Sequence, residues 1–304
     1  MLDRITELMS SQSTLEGIQS DLGALSTTEQ ELSTGYKINE PSDDPYGASV
    51  VVDLNSQLSA LSSYASNISD GTAWLNTAGS ALSEITNMAQ TAQELVVEGA
   101  NGTNSTTDDQ SAADEVNQLI ASIKQAANTQ YDGNYIFSGT ATSTAPYQAG
   151  SDDTYQGNDG SITRTIGPGE TVQVNTNLST LLGNGSAAGD GGLLDTLETI
   201  SSDLSAGNVS ALGTTDLQNI QTNLNTLEGM QANVGATTNR LTDASSAVTT
   251  MQSSDQTELT STEDVNMAQA ATSYTADEAS YNAALQAGAQ IVQESLLNFL
   301  SAGA

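Results

Sequence analysis

The residues of this chain that could do chemistry are carboxylates, hydroxyls, amides and five basic side chains, because histidine and cysteine are both absent. A Ser-His-Asp triad, a Cys-His dyad and the usual zinc ligand sets are therefore excluded. A serine-lysine dyad would have to use Lys37 or Lys124, and these positions are better explained as a loop residue and a solvated helix residue. We expect no catalytic residues and no enzyme activity.

One acidic cluster could bind a hard cation through several oxygen ligands. Asp152 and Asp153, followed by Asn158 and Asp159, invite a calcium interpretation. The cluster lacks the acidic spacing and the terminal Glu of an EF-hand loop, so ordinary turn residues are the favoured interpretation. Paired carboxylates that cleave sugars need a shaped cleft, usually lined by aromatic residues, and only 4% of this chain is aromatic. We expect neither a metal site nor a cofactor.

The charge of the chain excludes two classes of partner. Five basic residues stand against 37 acidic ones, which gives a formal net charge of -32. Nucleic acid and anionic membranes would be repelled over most of such a surface. No stretch approaches the roughly 18 consecutive apolar residues of a membrane helix, so we expect no membrane insertion. The first residues also lack the apolar region of a cleavable signal peptide.

Both ends of the chain carry an apolar stripe at helical spacing. Steps of three, four and seven residues are typical of a coiled-coil seam, which needs a partner helix. We therefore expect the chain to fold back, pair its two ends, and offer the remaining apolar surface to neighbouring subunits. The predicted assembly residues are Ile5, Leu8, Leu15, Ile18, Leu22, Leu25 and Leu32 at the start, and Tyr274, Tyr281, Leu285, Val292, Leu296 and Phe299 at the end.

A loop must separate the first stripe from the next helical pattern. Gly35, Pro41 and Pro45 forbid one continuous helix there. Asp44 before Pro45 is typical of an N-cap followed by proline at the first helical position. Capping and turn formation account for Asp43 and Asp44 better than metal binding does.

The remaining sequence predicts helices on both sides of a small β-rich insertion. Apolar periodicity indicates one long helix from residue 45 to about 98, in which two glycines could allow a bend, and further helices up to residue 127 and after residue 193. We expect a mainly α fold, a long antiparallel helical bundle and coiled coil built from the N- and C-terminal regions. The predicted domains are a terminal coiled coil (1–42 and 264–304), a helical bundle (43–138 and 193–263) and a β-rich surface insertion (139–192).

Several spaced motifs resemble those of one family. The loop motif is Pro41-Ser42-Asp43-Asp44-Pro45, and the others are Tyr135-Ile136-Phe137-Ser138-Gly139, Asn233-Val234-Gly235-Ala236 with Asn239-Arg240-Leu241, and Ser295-Leu296-Leu297-Asn298-Phe299-Leu300. In type and order they resemble the bacterial flagellin family, and within it the group of hook-filament junction proteins. Filament flagellins usually have a small residue in place of the first proline of the loop motif.

The resemblance implies a structural role. It implies a flagellum subunit that lies outside the cell, joins hook to filament, and is exported through the flagellar type III channel without a cleaved signal. The implied partners are copies of itself, a neighbouring hook-associated protein, flagellin and an export chaperone. Two alternatives remain open, a short filament flagellin and a secreted adhesin or enzyme that uses the β insertion.

Overall fold

The computed structural model of the chain describes the backbone of residues 2–148, 154–184 and 189–302, and the side chains of residues 9, 11–148, 154–184 and 189–293. Long helices dominate it. They are α1 (Leu2–Thr34), α2 (Pro45–Ala100), α3 (Thr106–Ala127), α4 (Ser179–Leu182), α5 (Leu193–Ala206), α6 (Val209–Ala211), α7 (Leu217–Glu263) and α8 (Met267–Ala302). A short π-helix (Leu212–Asp216) links α6 to α7. None of the helices in the described residues has an apolar stretch of the length that a membrane crossing requires.

The contacts of the chain divide it into two compact units. The terminal unit comprises Met1–Ala60 and Gln252–Ala304, and the central unit is Leu61–Met251. The predicted pairing of the two chain ends is confirmed, because α1 packs against α8 within the terminal unit. The finer division into three domains remains a prediction.

In the central unit, apolar residues of α2, α3, α5 and α7 form one core. Leu82, Ile123, Leu197 and Leu227 are among its fully buried side chains. Helices with such apolar faces must pack together to remove them from water. The mainly α prediction is therefore confirmed, and the core is mostly aliphatic, with Trp74, Phe137 and Tyr147 as buried aromatic members.

Helix α2 continues through Gly71, where the sequence allowed a bend. A Cβ atom at Gly71 would lie 2.9 Å from Cγ1 of Val174 and 3.3 Å from Cδ1 of Leu241. The glycine therefore marks a close approach of two other segments to the helix, and its role is in packing.

Two small antiparallel hairpins lie between α3 and α4, the first just before the predicted insertion and the second within it. In the first, β1 (Gln130–Tyr131) pairs with β2 (Asn134–Tyr135) across Asp132 and Gly133, whose φ angles of 49° and 76° suit a tight hairpin turn. In the second, β3 (Thr163–Gly167) pairs with β4 (Glu170–Gln173), and the register shifts between Thr165 and Gly167. A β insertion is thus confirmed, although much of its described part is irregular backbone.

Candidate functional site: the terminal helices and their connecting loop

The loop motif between α1 and α2 is fixed by its two aspartates. Oδ2 of Asp43 accepts hydrogen bonds from the backbone N-H groups of Asn39 at 3.0 Å and Glu40 at 2.8 Å. Oδ1 of Asp44 accepts one from the backbone N-H of Tyr46 at 3.1 Å, at the start of α2. Both carboxylates therefore serve as turn and cap residues.

Gly47 holds this loop against the first turn of α2. It is buried, and a Cβ atom there would lie 2.6 Å from Cδ1 of Ile38 and would also collide with the carboxylate of Asp44. Sequence reasoning missed Gly47 and Ile38, because a glycine in the first turn of a helix gives no signal of a close approach. Pro41 and Ser42 lie exposed in the same loop, and Pro45 opens the helix.

A second connection of the terminal unit lies directly beside this loop. Tyr36 and Asp264 form an isolated antiparallel β-bridge. The backbone N-H of Lys37 donates to the carbonyl oxygen of Glu263 at 2.7 Å, and that of Val265 donates to Gly35 at 2.9 Å. We call residues 35–37 and 261–265 the terminal clasp, since they tie the end of α1 to the link between α7 and α8.

Lys37 also caps a helix within the terminal clasp. Its Nζ donates to the carbonyl oxygen of Ser261 at 3.0 Å, in the last turn of α7. A cation at a helix C-terminus is favourable because unsatisfied carbonyl groups concentrate negative charge there. Lys37 was predicted only as a loop residue, because nothing in the local pattern pointed to its distant partner.

The interface between α1 and α8 uses one half of the predicted stripe. Half-buried residues of α1 recur at steps of four and three, and they include Ile18, Leu25 and Leu32. On α8 the same alternation includes Tyr274 and Tyr281. The buried or half-buried residues at this spacing are Thr14, Ile18, Asp21, Leu25, Thr28 and Leu32 on α1, and Ala270, Tyr274, Asp277, Tyr281, Ala284, Gly288 and Ile291 on α8.

Two members of this seam are carboxylates. Asp21 and Asp277 are both half-buried, and Oδ2 of Asp277 accepts a hydrogen bond from Oγ1 of Thr28 at 3.2 Å. Small residues let the helices approach closely, since a Cβ atom at Gly288 would lie 3.1 Å from Cδ1 of Ile18. The seam is therefore narrow and partly polar, which limits how much apolar area it buries.

The other half of the predicted stripe is exposed. Leu15 and Leu22 on α1 are 54% and 49% exposed, and Leu285 and Val292 on α8 are 42% and 51% exposed. These four residues lie outside the run of half-buried positions between α1 and α8, and their place in an assembly interface remains a prediction. Each pair is spaced by seven residues, so each forms a line along one helix face. We call these four residues the exposed stripe.

Four other predicted residues cannot be placed. The side chains of Ile5, Leu8, Leu296 and Phe299 lie outside the described side chains, although the helices α1 and α8 include their backbone.

Among the side chains of the terminal unit that the structure describes, Lys37 is the one basic residue.

The central unit uses its two arginines to tie the β3-β4 hairpin to the long helices. Nε of Arg164 lies 2.7 Å from Oδ2 of Asp70 on α2. Nη2 of Arg240, part of a motif that the sequence singled out, lies 2.8 Å from Oε1 of Glu170. These ion pairs are partly exposed, so they position the hairpin more than they stabilise it.

The residues considered and set aside as calcium ligands make loop contacts where the structure describes them. Oδ1 of Asn158 accepts hydrogen bonds from the backbone N-H groups of Thr140 and Gly160, each at 2.9 Å. Oδ1 of Asp159 is an acceptor for Ser179 at 3.3 Å. Asp152 and Asp153 lie outside the described residues, and within those residues no group of three or more acidic side chains could hold a metal ion.

Comparison with known proteins agrees with this architecture. The model of the bacterial flagellin N-terminal helical region matches residues 5–142, and that of the C-terminal helical region matches residues 217–300. Together the two matches span more than half of the chain.

One curated relative is a hook-associated protein of the flagellum. Flagellar hook-associated protein 3 of Salmonella typhimurium is 31% identical over 172 residues, which are 56% of this chain and 54% of the relative. The chain thus spans about half the length of this curated relative.

Solved structures show the same fold at lower identity. A protein of Vibrio parahaemolyticus described as a flagellar hook-associated protein gives a TM-score of 0.66 at 23% identity, covering 72% of this chain and 99% of its own. The flagellar junction protein FlgL from Legionella pneumophila gives 0.59 at 14% identity, covering 70% and 99%. With both helical regions matched in order around the insertion, the chain belongs to the bacterial flagellin family.

Proposed function

We propose that this chain is a structural subunit of the bacterial flagellum that joins hook to filament. The observation that carries the proposal is the exposed stripe, because Leu15, Leu22, Leu285 and Val292 keep 42% to 54% of their surface exposed in the described part of the terminal unit. Apolar lines of this spacing are covered when further helices pack beside them. The similarity to a hook-associated protein supports the place of this subunit at the junction.

Assembly in this proposal completes the terminal helices. The seam between α1 and α8 is narrow and contains Asp21 and Asp277, so the isolated pair gains little from burial. Neighbouring subunits then bury the exposed stripe, and stability becomes linked to association. Ile5, Leu8, Leu296 and Phe299, whose side chains lie outside the described part, keep their predicted assignment to the assembly interface. The terminal coiled coil (1–42 and 264–304) lies innermost, and the insertion (139–192) points outward.

The partners follow from this role. They are copies of the chain, a neighbouring hook-associated protein, flagellin and an export chaperone that protects the terminal helices before assembly. The protein acts outside the cell, after type III export without a cleaved signal. It binds no nucleic acid and does no catalysis.

A strain that lacks the gene tests the proposal. We expect intact hooks, no attached filaments and flagellin in the medium, as seen by electron microscopy and by blotting of the supernatant. Normal filaments in this strain would refute the junction role. If the chain is instead a filament flagellin, the nearest alternative, the strain would lack the filament protein itself. A filament flagellin would also be present in thousands of copies per cell, whereas a junction needs few.

Substitutions in the exposed stripe test whether it is the assembly surface. Leu22→Ser with Leu285→Ser should abolish motility on soft agar while leaving the central unit folded, because only the assembly surface changes. Val97→Ser is the matched control, since Val97 is 47% exposed on α2 of the central unit. Full motility of the double variant would contradict the assigned surface. Binding activity that survives removal of both terminal helices would favour the adhesin alternative.

A further inference from the structure

The exposed stripe lies on one side of the paired terminal helices. Seam residues recur in steps of four and three, and Asp21 and Asp277 each begin a step of four, so they occupy coiled-coil position d. The residues directly after d occupy position e, and in this part of the pair they are Leu15 and Leu22 on α1 and Leu285 and Val292 on α8. In an antiparallel pair, the e positions of both helices flank the seam on the same side. The four exposed side chains therefore form one surface.

This surface consists of two apolar layers. The hydrogen bond between Thr28 and Asp277 sets the antiparallel register of α1 and α8. One heptad away from this pair, Leu22 lies level with Leu285, and the other two members of the stripe share the next level. The e positions at the level of the bonded pair are both glutamates, so the apolar surface ends there.

The opposite side of the same helix pair carries small residues. Position g, directly before each a position of the seam, is Gly17, Ala24, Ser280 and Ala287, and all four are exposed. We call these four residues the small flank. Packing within the chain does not account for the glycine, because a Cβ atom at Gly17 would have nothing within 4 Å among the described residues. Glycine weakens a helix interior, and here it leaves space beside α1 that this chain does not fill.

We propose that the exposed stripe of one copy packs onto the small flank of the next copy of this chain. The inference rests on the proposed function and adds which surfaces meet. When two copies lie side by side at one height, Leu22 of the first lies between the heights of Gly17 and Ala24 of the second. Both surfaces repeat every seven residues, so large side chains of one copy face small ones of the other in each layer.

The size of the stripe favours a partner that uses both sides of the helix pair. Stable complexes bury about 800 Å² on each partner. Four side chains that are already about half buried supply only a fraction of that area. A copy that contacts one neighbour through its stripe and a second through its small flank makes this contact twice. Both surfaces are also continuous with the seam between α1 and α8, so the neighbouring helices extend one coiled coil.

Packing of one exposed stripe against another is the alternative arrangement for two copies. It is isologous, so it closes at a dimer and leaves the small flank uncovered. A contact between the stripe and the small flank is heterologous, and contacts of this kind generate rings or helical arrays. The two arrangements therefore predict different cross-linked products.

Cysteine cross-linking in assembled flagella tests the contact. The chain has no cysteine, so introduced thiols are unique. Leu22→Cys with Ala24→Cys places one thiol on each surface. After oxidation of purified flagella, we expect a ladder of dimers, trimers and larger species on denaturing gels, whereas each single variant should give monomers. Ser20→Cys with Gln30→Cys, both exposed outside the two surfaces, is the matched control and should give no ladder.

Two glycines of α1 provide a second test. Gly17 lies on the small flank and Gly23 on the outer face of α1, and neither would have an atom within 4 Å of an added Cβ atom among the described residues. Gly17→Leu should abolish motility on soft agar, because the new side chain fills the space that the stripe of the next copy occupies. Gly23→Leu should keep motility. Equal circular dichroism of the two purified variants separates a lost contact from lost folding.

Four results would overturn the inference. Dimers from Leu22→Cys alone would show that stripe meets stripe. A ladder of the same extent from the control pair, or full motility of Gly17→Leu, would remove the small flank from the contact. Absence of the ladder from flagella of motile cells that carry the Leu22→Cys and Ala24→Cys protein would also overturn it. That last result would leave the junction role standing, since the strain that lacks the gene tests that role.

Discussion

Replacing Gly71 with alanine should destabilise the central unit, although alanine is the better helix former. In the interior of a helix the change from glycine to alanine gains about 1 kcal/mol. Here the new Cβ atom would lie 2.9 Å from Cγ1 of Val174 and 3.3 Å from Cδ1 of Leu241. Both neighbours are fully buried and cannot swing into solvent. Overpacking of this kind costs about 1–3 kcal/mol, so the net loss of unfolding free energy should be about 0–2 kcal/mol.

Gly229→Ala is the matched control for this prediction. Gly229 also lies inside a long helix, α7, but nothing would lie within 4 Å of an added Cβ atom. That variant should gain up to about 1 kcal/mol. The unfolding free energies of the two variants should therefore differ by about 1–3 kcal/mol, with Gly71→Ala the less stable one. The chemical change is the same in both, and only the surroundings differ.

Urea unfolding followed by tryptophan fluorescence measures both variants. Trp74 is the single tryptophan of the chain and is 4% exposed in the core of the central unit, so its emission reports the unfolding of that unit. If Gly71→Ala proves as stable as Gly229→Ala, the close approach of Val174 and Leu241 does not explain the glycine.

Two further predictions concern tyrosines of the insertion. Tyr147→Phe should lower the unfolding free energy, measured in urea, by about 1–3 kcal/mol. The change removes the 2.9 Å hydrogen bond from the buried Tyr147 hydroxyl to the carbonyl oxygen of Gly183 and leaves that acceptor unpaired. Wild-type stability of the variant would contradict this role. Burial, together with the charge of Asp159, raises the pKa of Tyr155 from 10.0 to about 12. The folded state therefore holds this proton between about pH 10 and pH 12, and its contribution to stability is lost as pH rises through that range. A spectroscopic titration of tyrosinate should show a late step that Tyr155→Phe removes, and persistence of that step in the variant would assign it to another tyrosine.

The helices of this chain were predictable from sequence because their apolar periodicity is long and regular. The loop at residues 35–44 was also predictable, since glycine and proline interrupt the period and Asp44 precedes Pro45. The end of α2 at Ala100 agrees with the turn-rich segment that follows it. These features depend on local residue types, which a sequence displays directly.

The face that each terminal helix presents to its partner was not predictable in the same way. Leu15, Ile18, Leu22 and Leu25 form one broad stripe by hydropathy, but only Ile18 and Leu25 are half-buried beside α8. Hydropathy cannot select that half, because the seam also contains Asp277, which finds Thr28 as its donor. Leu15 and Leu22, the exposed half of the stripe, lie outside the seam between α1 and α8.

The polar contacts of the clasp and the insertion were also invisible in the sequence. The bonds from Lys37 to Ser261 and Glu263 join residues that are far apart in the chain, and three of the four atoms involved are backbone atoms. Asn158 is one of many asparagines, and only its surroundings make it the acceptor for two loop amides. A single sequence carries no record of such pairings.

The pairing of α1 with α8 also sets an order of events during synthesis. The hydrogen bond between Thr28 and Asp277 joins residues 249 positions apart. The ribosome therefore completes α1 long before its partner helix exists, and closing so large a loop is costly unless the intervening chain is already compact. The central unit, whose segments are closer in sequence, can form first and bring the two ends together. Throughout translation the nascent N-terminal helix must consequently remain soluble without its partner, and the charged and hydroxyl side chains between its leucines suit it to that interval.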